Sequence, residues 1–155
     1  MDSSLADFTG EALIIPALQS RDMVGVIAEL SAAFGNCAGN WNVSELNRLA
    51  HERESQMSTA MDFGAAFPHV RSFVCPHLQF ALGRAPEPIE WGRPGSLRIE
   101  FVFLNAIPAD DTGGYLKLVS AMARLGRHPA LREQLRWAAG TAEILKVLAR
   151  IPIRK

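Results

Sequence analysis

The chain has 155 residues, 48% of them hydrophobic, with sixteen Lys and Arg balancing sixteen Asp and Glu. That length and apolar content suit one domain over 1–155 with a full core. Zero net charge argues against a nucleic-acid or anionic-membrane surface as the main partner, because both demand a basic excess. The two cysteines, Cys37 and Cys75, lie in no metal-ligand spacing, as expected in a reducing compartment. The first ten residues carry Asp2 and Asp7 without a basic n-region, so no signal peptide is expected. No apolar run approaches the roughly 18–20 residues of a membrane helix. The expected setting is cytoplasmic, without direct membrane insertion.

Ala12 to Ile15 predicts a first strand, stopped by Pro16. Ser20 is the expected cap of a helix through Phe34, with Met23, Ile27, Leu30 and Phe34 as its stripe and Gly35 ending it. Asn42 with Glu45 reads as a capping box for a helix to about Glu54. Its stripe of Leu46, Leu49 and Ala50 reaches Arg53, an arginine where an apolar residue is expected. Leu78, Phe80 and Leu82 alternate with Gln79, Ala81 and Gly83, as in a half-buried strand. Arg84–Gly95 and Pro108–Gly114 are rich in breakers and predict loops. Between them, Leu97, Ile99, Phe101 and Phe103 alternate and merge into Phe101–Leu104, the mark of a strand buried on both faces. Helices follow from Tyr115 to Leu125, from Pro129 in a first-turn position, and after Thr141 as a cap, burying Ile144, Leu145, Leu148 and Ile151. Interleaved strands and helices give an α/β class: a small sheet flanked by helices on both faces.

The chemistry concentrates in Gly64-Ala65-Ala66-Phe67-Pro68-His69-Val70-Arg71. Pro68 restrains the backbone before His69, and small neighbours leave its ring accessible. A neutral imidazole is a good nucleophile near pH 7 and can carry a phosphoryl group in a reactive N–P bond. Such a carrier needs an acceptor fixing the non-attacking nitrogen, partial exclusion of water, and a cation on the phosphoryl oxygens, a task suited to arginine's planar fork. Arg53 on a core stripe requires an anionic partner, and Glu54 is the adjacent possibility. Read alone, His69 also fits an ordinary satisfied histidine, and Arg53 a helix-end cation favoured by the macrodipole. Ser58 and Thr59 fit either phosphate contact or a capped turn. Asp110–Gly114 reads as a capped turn more than as an anion site. Cys75-Pro76-His77 matches no zinc spacing. His51 is expected to be solvated, and His128 to sit in a turn.

Arg53-Glu54-Ser55-Gln56-Met57-Ser58-Thr59, followed by Gly64-Ala65-Ala66-Phe67-Pro68-His69, resembles the active-site pattern of the enzyme IIA domains of the bacterial phosphoenolpyruvate-dependent sugar phosphotransferase system. The branch is the fructose/mannitol type with its nitrogen-regulatory relatives. The resemblance implies one type-2-like IIA domain, a mixed sheet flanked by helices, and no cofactor. It implies that His69 accepts a phosphoryl group from the HPr carrier protein and passes it to a cysteine of a IIB domain. It also implies that Arg53 and Thr59 help hold the phosphate. The family's second histidine, which opens the helix after the buried strand, is replaced here in Tyr115-Leu116-Lys117-Leu118. A tyrosine hydroxyl can donate one hydrogen bond but cannot become a cation, so the phosphorylated state is expected to be held less firmly. Phe63, Phe67 and Val70 are the expected apolar rim for a partner. Two functions follow: a phosphocarrier of sugar transport, or a nitrogen-type regulatory module that binds a target protein with His69 phosphorylation as a switch or lost. A small hydrolase would need a Ser or Cys nucleophile motif that the chain does not display.

Overall fold

The computed structural model describes residues 3–154. Along the chain come β1 (Ile14–Ile15), α1 (Met23–Ala33), α2 (Val43–Gln56), β2 (Ala65–Ala66), β3 (His69–Ser72), β4 (Gln79–Glu90), β5 (Arg98–Pro108), α3 (Gly114–Ala123), α4 (Pro129–Trp137) and α5 (Thr141–Ala149). Short 3-10 turns lie between some of them.

The apolar run that begins at Phe101 forms the middle of β5, the strand on which the sheet is built. β4 pairs with it antiparallel on one side, and β1 extends that side in parallel. On the other side β2 and β3 share one edge, both parallel to β5, so the sheet is mixed. Alternate residues of β5 face opposite cores. Val102, Leu104 and Ala106 pack with α1 and α2, whereas Phe101 and Phe103 pack with α3, α4 and α5. Helices therefore cover both faces, and the α/β class with one domain is the observed architecture.

Several local expectations need correction. The first strand keeps only Ile14 and Ile15, because Glu11–Leu13 forms a 3-10 turn. Asp22, not Ser20, caps α1: its Oδ1 accepts from Gly25 N–H at 2.7 Å. Asn42 accepts from Glu45 N–H at 3.1 Å, but the Glu45 carboxylate turns to Arg48, so half of the capping box forms. Thr141 is the first residue of α5, and Gly140 occupies the cap. β4 is buried on both faces at Phe80, Ala81 and Leu82. The small residues there admit a close neighbour: a Cβ on Gly83 would lie 2.7 Å from Leu18.

The breaker-rich stretch from Arg84 is largely strand. β4 continues through Pro86 and Pro88 to Glu90, with a register shift against β5 between Arg84 and Ile89. Proline donates no ladder bond, and an irregularity is where a strand tolerates it.

Candidate functional site

The Pro68-His69 step sits between two short parallel strands on the same edge of β5. β2 ends at Ala66, the Pro68 carbonyl accepts from Asn105 N–H at 2.8 Å, and β3 begins at His69 opposite Asn105. The proline thus marks the change from one pairing segment to the next. Gly64 precedes them at φ +93°, a conformation that favours glycine, and its carbonyl accepts from Glu100 and Phe101 N–H.

His69 lines a cleft of about 500 Å³ formed by the C-terminal half of α2, the strand pair β3–β5 and the start of α3. Arg53, Arg71, Tyr115 and Leu116 line it too. The Tyr115 ring lies 5.5 Å from the His69 ring between centroids, at 35°. The sequence-derived residues His69, Arg53 and Tyr115 therefore converge.

Arg71 is a residue the sequence reading did not single out. It is two positions after His69 on β3, so the period of a strand puts both side chains on one face. Its guanidinium donates to the Asp111 carbonyl at 2.9 Å, tying β3 to the loop before α3. Arg53 reaches only the Met57 carbonyl, at 3.4 Å. Among the described residues, no carboxylate lies within ion-pair distance of either arginine. Both guanidinium groups keep donors free for an anion in the cleft.

Glu54 does not answer Arg53. It is buried, and its carboxylate accepts from Thr59 N–H at 2.7 Å, from Thr59 Oγ1–H at 2.9 Å and from Trp91 Nε1–H at 2.8 Å. The Thr59 hydroxyl oxygen also accepts from Phe67 N–H at 2.8 Å. Thr59 is thus bound to its own scaffold and lies outside the residues that line the cleft. The expected rim is likewise revised: Phe67 and Val70 are buried and Phe63 is half-buried, while Leu116 at the cleft is 69% exposed. At the start of α3 the Asp111 carboxylate accepts from Tyr115 N–H at 3.0 Å, which makes that turn a capped one.

His69 Nδ1 lies 3.3 Å from the Phe67 carbonyl. A carbonyl only accepts, so Nδ1 carries the proton and Nε2 keeps its lone pair. Burial lowers the His69 pKa below the ordinary imidazole value, against the Phe67 hydrogen bond and the Glu54 charge, which raise it; Arg53 and Arg71 lower it further. His69 is therefore neutral at pH 7. A depressed histidine pKa means that the unfolded chain binds the proton more readily. The stability it contributes is present above about pH 6.5 and is lost as pH falls through the folded pKa. An NMR titration of the His69 ring should give a midpoint below about 6.5; a midpoint above it would contradict this electrostatic account. Burial raises the Tyr115 phenol, against Arg53 and Arg71 which lower it, so its hydroxyl stays neutral.

The other reactive groups are elsewhere or inert. Burial pushes the Cys75 thiol up to about 11, far from a thiolate nucleophile at pH 7. No three His, Cys, Asp or Glu side chains among the described residues converge as a metal site. No helix among them is long and apolar enough to cross a membrane.

Comparison with known proteins places the chain in one family. A "Nitrogen regulatory protein" of Bradyrhizobium diazoefficiens is 27% identical over 96% of this chain and 96% of its own length. The nitrogen regulatory protein IIA-Ntr of Neisseria meningitidis superposes with a TM-score of 0.81 at 19% identity, over 93% of this chain and 98% of that one. The complex of enzyme IIAMTL with phosphorylated enzyme IIBMTL of Escherichia coli contains a chain that matches with a TM-score of 0.75 at 15% identity, over 90% and 96% of the two chains. The family described as phosphoenolpyruvate-dependent sugar phosphotransferase system, EIIA 2, matches residues 10–151, and this chain belongs to it.

Proposed function

We propose that the chain is a cytoplasmic phosphocarrier in which His69 accepts a phosphoryl group from an HPr-like protein and yields it to the cysteine of a IIB-type domain. The observation that carries this reading is a partly buried His69 sharing one cleft with two arginines that have no carboxylate partner among the described residues. In the forward step, the Nε2 lone pair forms a bond to phosphorus. The donor's N–P bond breaks and returns its electron pair to the donor nitrogen. The Nδ1 proton stays in place, directed at Phe67. Arg53 and Arg71 face the phosphoryl oxygens, and such positioning and charge stabilisation are most of what phosphoryl transfer asks of a protein. A IIB cysteine thiolate then attacks phosphorus and restores the neutral imidazole. Thr59 contributes by holding Phe67 in place.

A nitrogen-type regulatory module is the second reading. It is favoured by the nitrogen regulatory names of the relatives and by Tyr115 at the place of the second histidine. In it the same cleft binds a target protein. Phosphorylation then alters binding by adding about −1.5 to −2 charge, the value for hydroxyl phosphates.

Incubation with phosphoenolpyruvate, enzyme I and HPr tests the proposal. Intact-protein mass should show one acid-labile phosphoryl group, and an added IIB domain should remove it. Uptake without onward transfer would favour the regulatory reading, and no uptake would end the phosphocarrier reading.

Tyr115 makes a further prediction. An imidazole beside His69 can take a proton and face the phosphoryl oxygens as a cation, whereas the phenol stays neutral. Tyr115→His should therefore lengthen the lifetime of the phosphorylated protein followed by phosphorus NMR. An equal lifetime would show that the tyrosine is no weaker a neighbour.

A further inference from the structure

Glu54 is 2% exposed, and the groups around its carboxylate are donors. Trp91 Nε1 and Thr59 N cannot accept a proton, and Thr59 Oγ1 already accepts from Phe67 N–H. In each of these contacts the carboxylate accepts, so it directs the hydroxyl hydrogen of Thr59 to itself and leaves a lone pair of that oxygen toward Phe67. Phe67 is fixed at three points. Its N–H donates to Thr59, its ring stacks on Phe103 at 5.3 Å and 18°, and its carbonyl faces His69 Nδ1. The next residue is Pro68, whose ring fixes φ, so little freedom remains between the Phe67 carbonyl and the imidazole.

We propose that Glu54, held by Trp91 and acting through Thr59 and Phe67, is the positioning residue that selects the His69 tautomer: Nδ1 protonated, Nε2 free to attack. This rests on the reading of His69 as the phosphoryl acceptor, yet the tautomer exists without any phosphoryl transfer. It also matters most during transfer. As the Nε2–P bond forms, both ring nitrogens become substituted and the ring gains positive charge. The Nδ1–H···O=C contact then strengthens, and a carbonyl already in place stabilises the transition state more than the ground state. The buried Glu54 charge acts in the same direction on the ring, opposing Arg53 and Arg71.

The test compares the unphosphorylated protein with Glu54→Gln, Thr59→Val and Thr59→Ser. Nitrogen-15 shifts of the His69 ring report the tautomer directly. The wild type and Thr59→Ser should show Nδ1 protonated. Glu54→Gln and Thr59→Val should show a mixture, and their phosphorylation rates should fall on the order of 10- to 100-fold, the scale of a misplaced reacting group. A merely structural role would change melting temperature but leave the tautomer as in the wild type, and that result overturns the proposal. If Glu54→Gln does not fold, the contrast between Thr59→Val and Thr59→Ser decides alone. A wild type that takes up no phosphate while showing the expected tautomer pattern would sink the phosphocarrier reading and leave the positioning role standing.

Discussion

Replacing His69 by alanine is expected to abolish phosphoryl uptake from phosphoenolpyruvate through enzyme I and HPr while the protein remains folded. The ring is half-buried at the wall of an open cleft, so its loss leaves no closed cavity in the core. Thermal melts should change little compared with the loss of activity. No other histidine can stand in for it. His77 and His128 are exposed, His51 is half-buried on α2, and none of the three lines the cleft with the arginines. Arg71→Met is the informative companion. A charge-assisted hydrogen bond to an anion is worth about 1.5–3 kcal/mol, which converts to a loss of roughly 10- to 100-fold in rate. That variant should therefore be slow where His69→Ala is silent. Acid-labile phosphate on His69→Ala at the wild-type level would place the acceptor elsewhere and remove the basis of the site.

His69 and Arg53 are legible in one dimension because each breaks a local pattern. One follows a proline after a run of small residues, and the other interrupts the stripe of α2. Arg71 escapes notice because β3 is only four residues long and offers no alternation of its own; counting two forward from His69 is the signal that finds it. Pairing Arg53 with Glu54 by adjacency fails for a helical reason, since neighbours in sequence do not face each other on a helix. Glu54 instead meets Trp91, a partner thirty-seven positions away that no local pattern announces. The same distinction governs the fold. The apolar run beginning at Phe101 reveals a strand buried on both faces, because its composition needs both. β4 conceals the same burial behind Ala81 and Gly83, whose smallness suits the tight approach of Leu18. Pro86 and Pro88 signal a loop by composition, and the irregular pairing that lets the strand accept them is a property of the sheet.

Phe103→Ala is expected to be the most destabilising of these changes and to reach the site from inside. Phe103 is fully buried in β5, stacked on Phe67 at 5.3 Å and tilted against Phe80 at 5.8 Å. Truncating such a ring costs about 3–5 kcal/mol, because transfer free energy is lost and the surrounding sheet and helices refill the space only in part. That is a large share of the roughly 5–15 kcal/mol that holds a domain of this kind folded. At roughly 2–4 °C per kcal/mol for a chain of this size, the melting temperature should fall by about 6–20 °C. Phe73→Ala supplies the control: its ring is 93% exposed, so its melt should stay within about 0.5 kcal/mol of the wild type. The consequence for function is separable from stability. Phe67 loses the wall against which it stacks, and Phe67 is the residue whose carbonyl faces His69 Nδ1. Phosphorylation measured well below the new melting temperature should therefore be slower in Phe103→Ala, with the His69 tautomer less uniform. A melting curve matching that of Phe73→Ala would contradict the packing. A large drop in stability with an unchanged rate and tautomer would instead separate the core from the site, and place the hold on Phe67 in the Thr59 hydrogen bond alone.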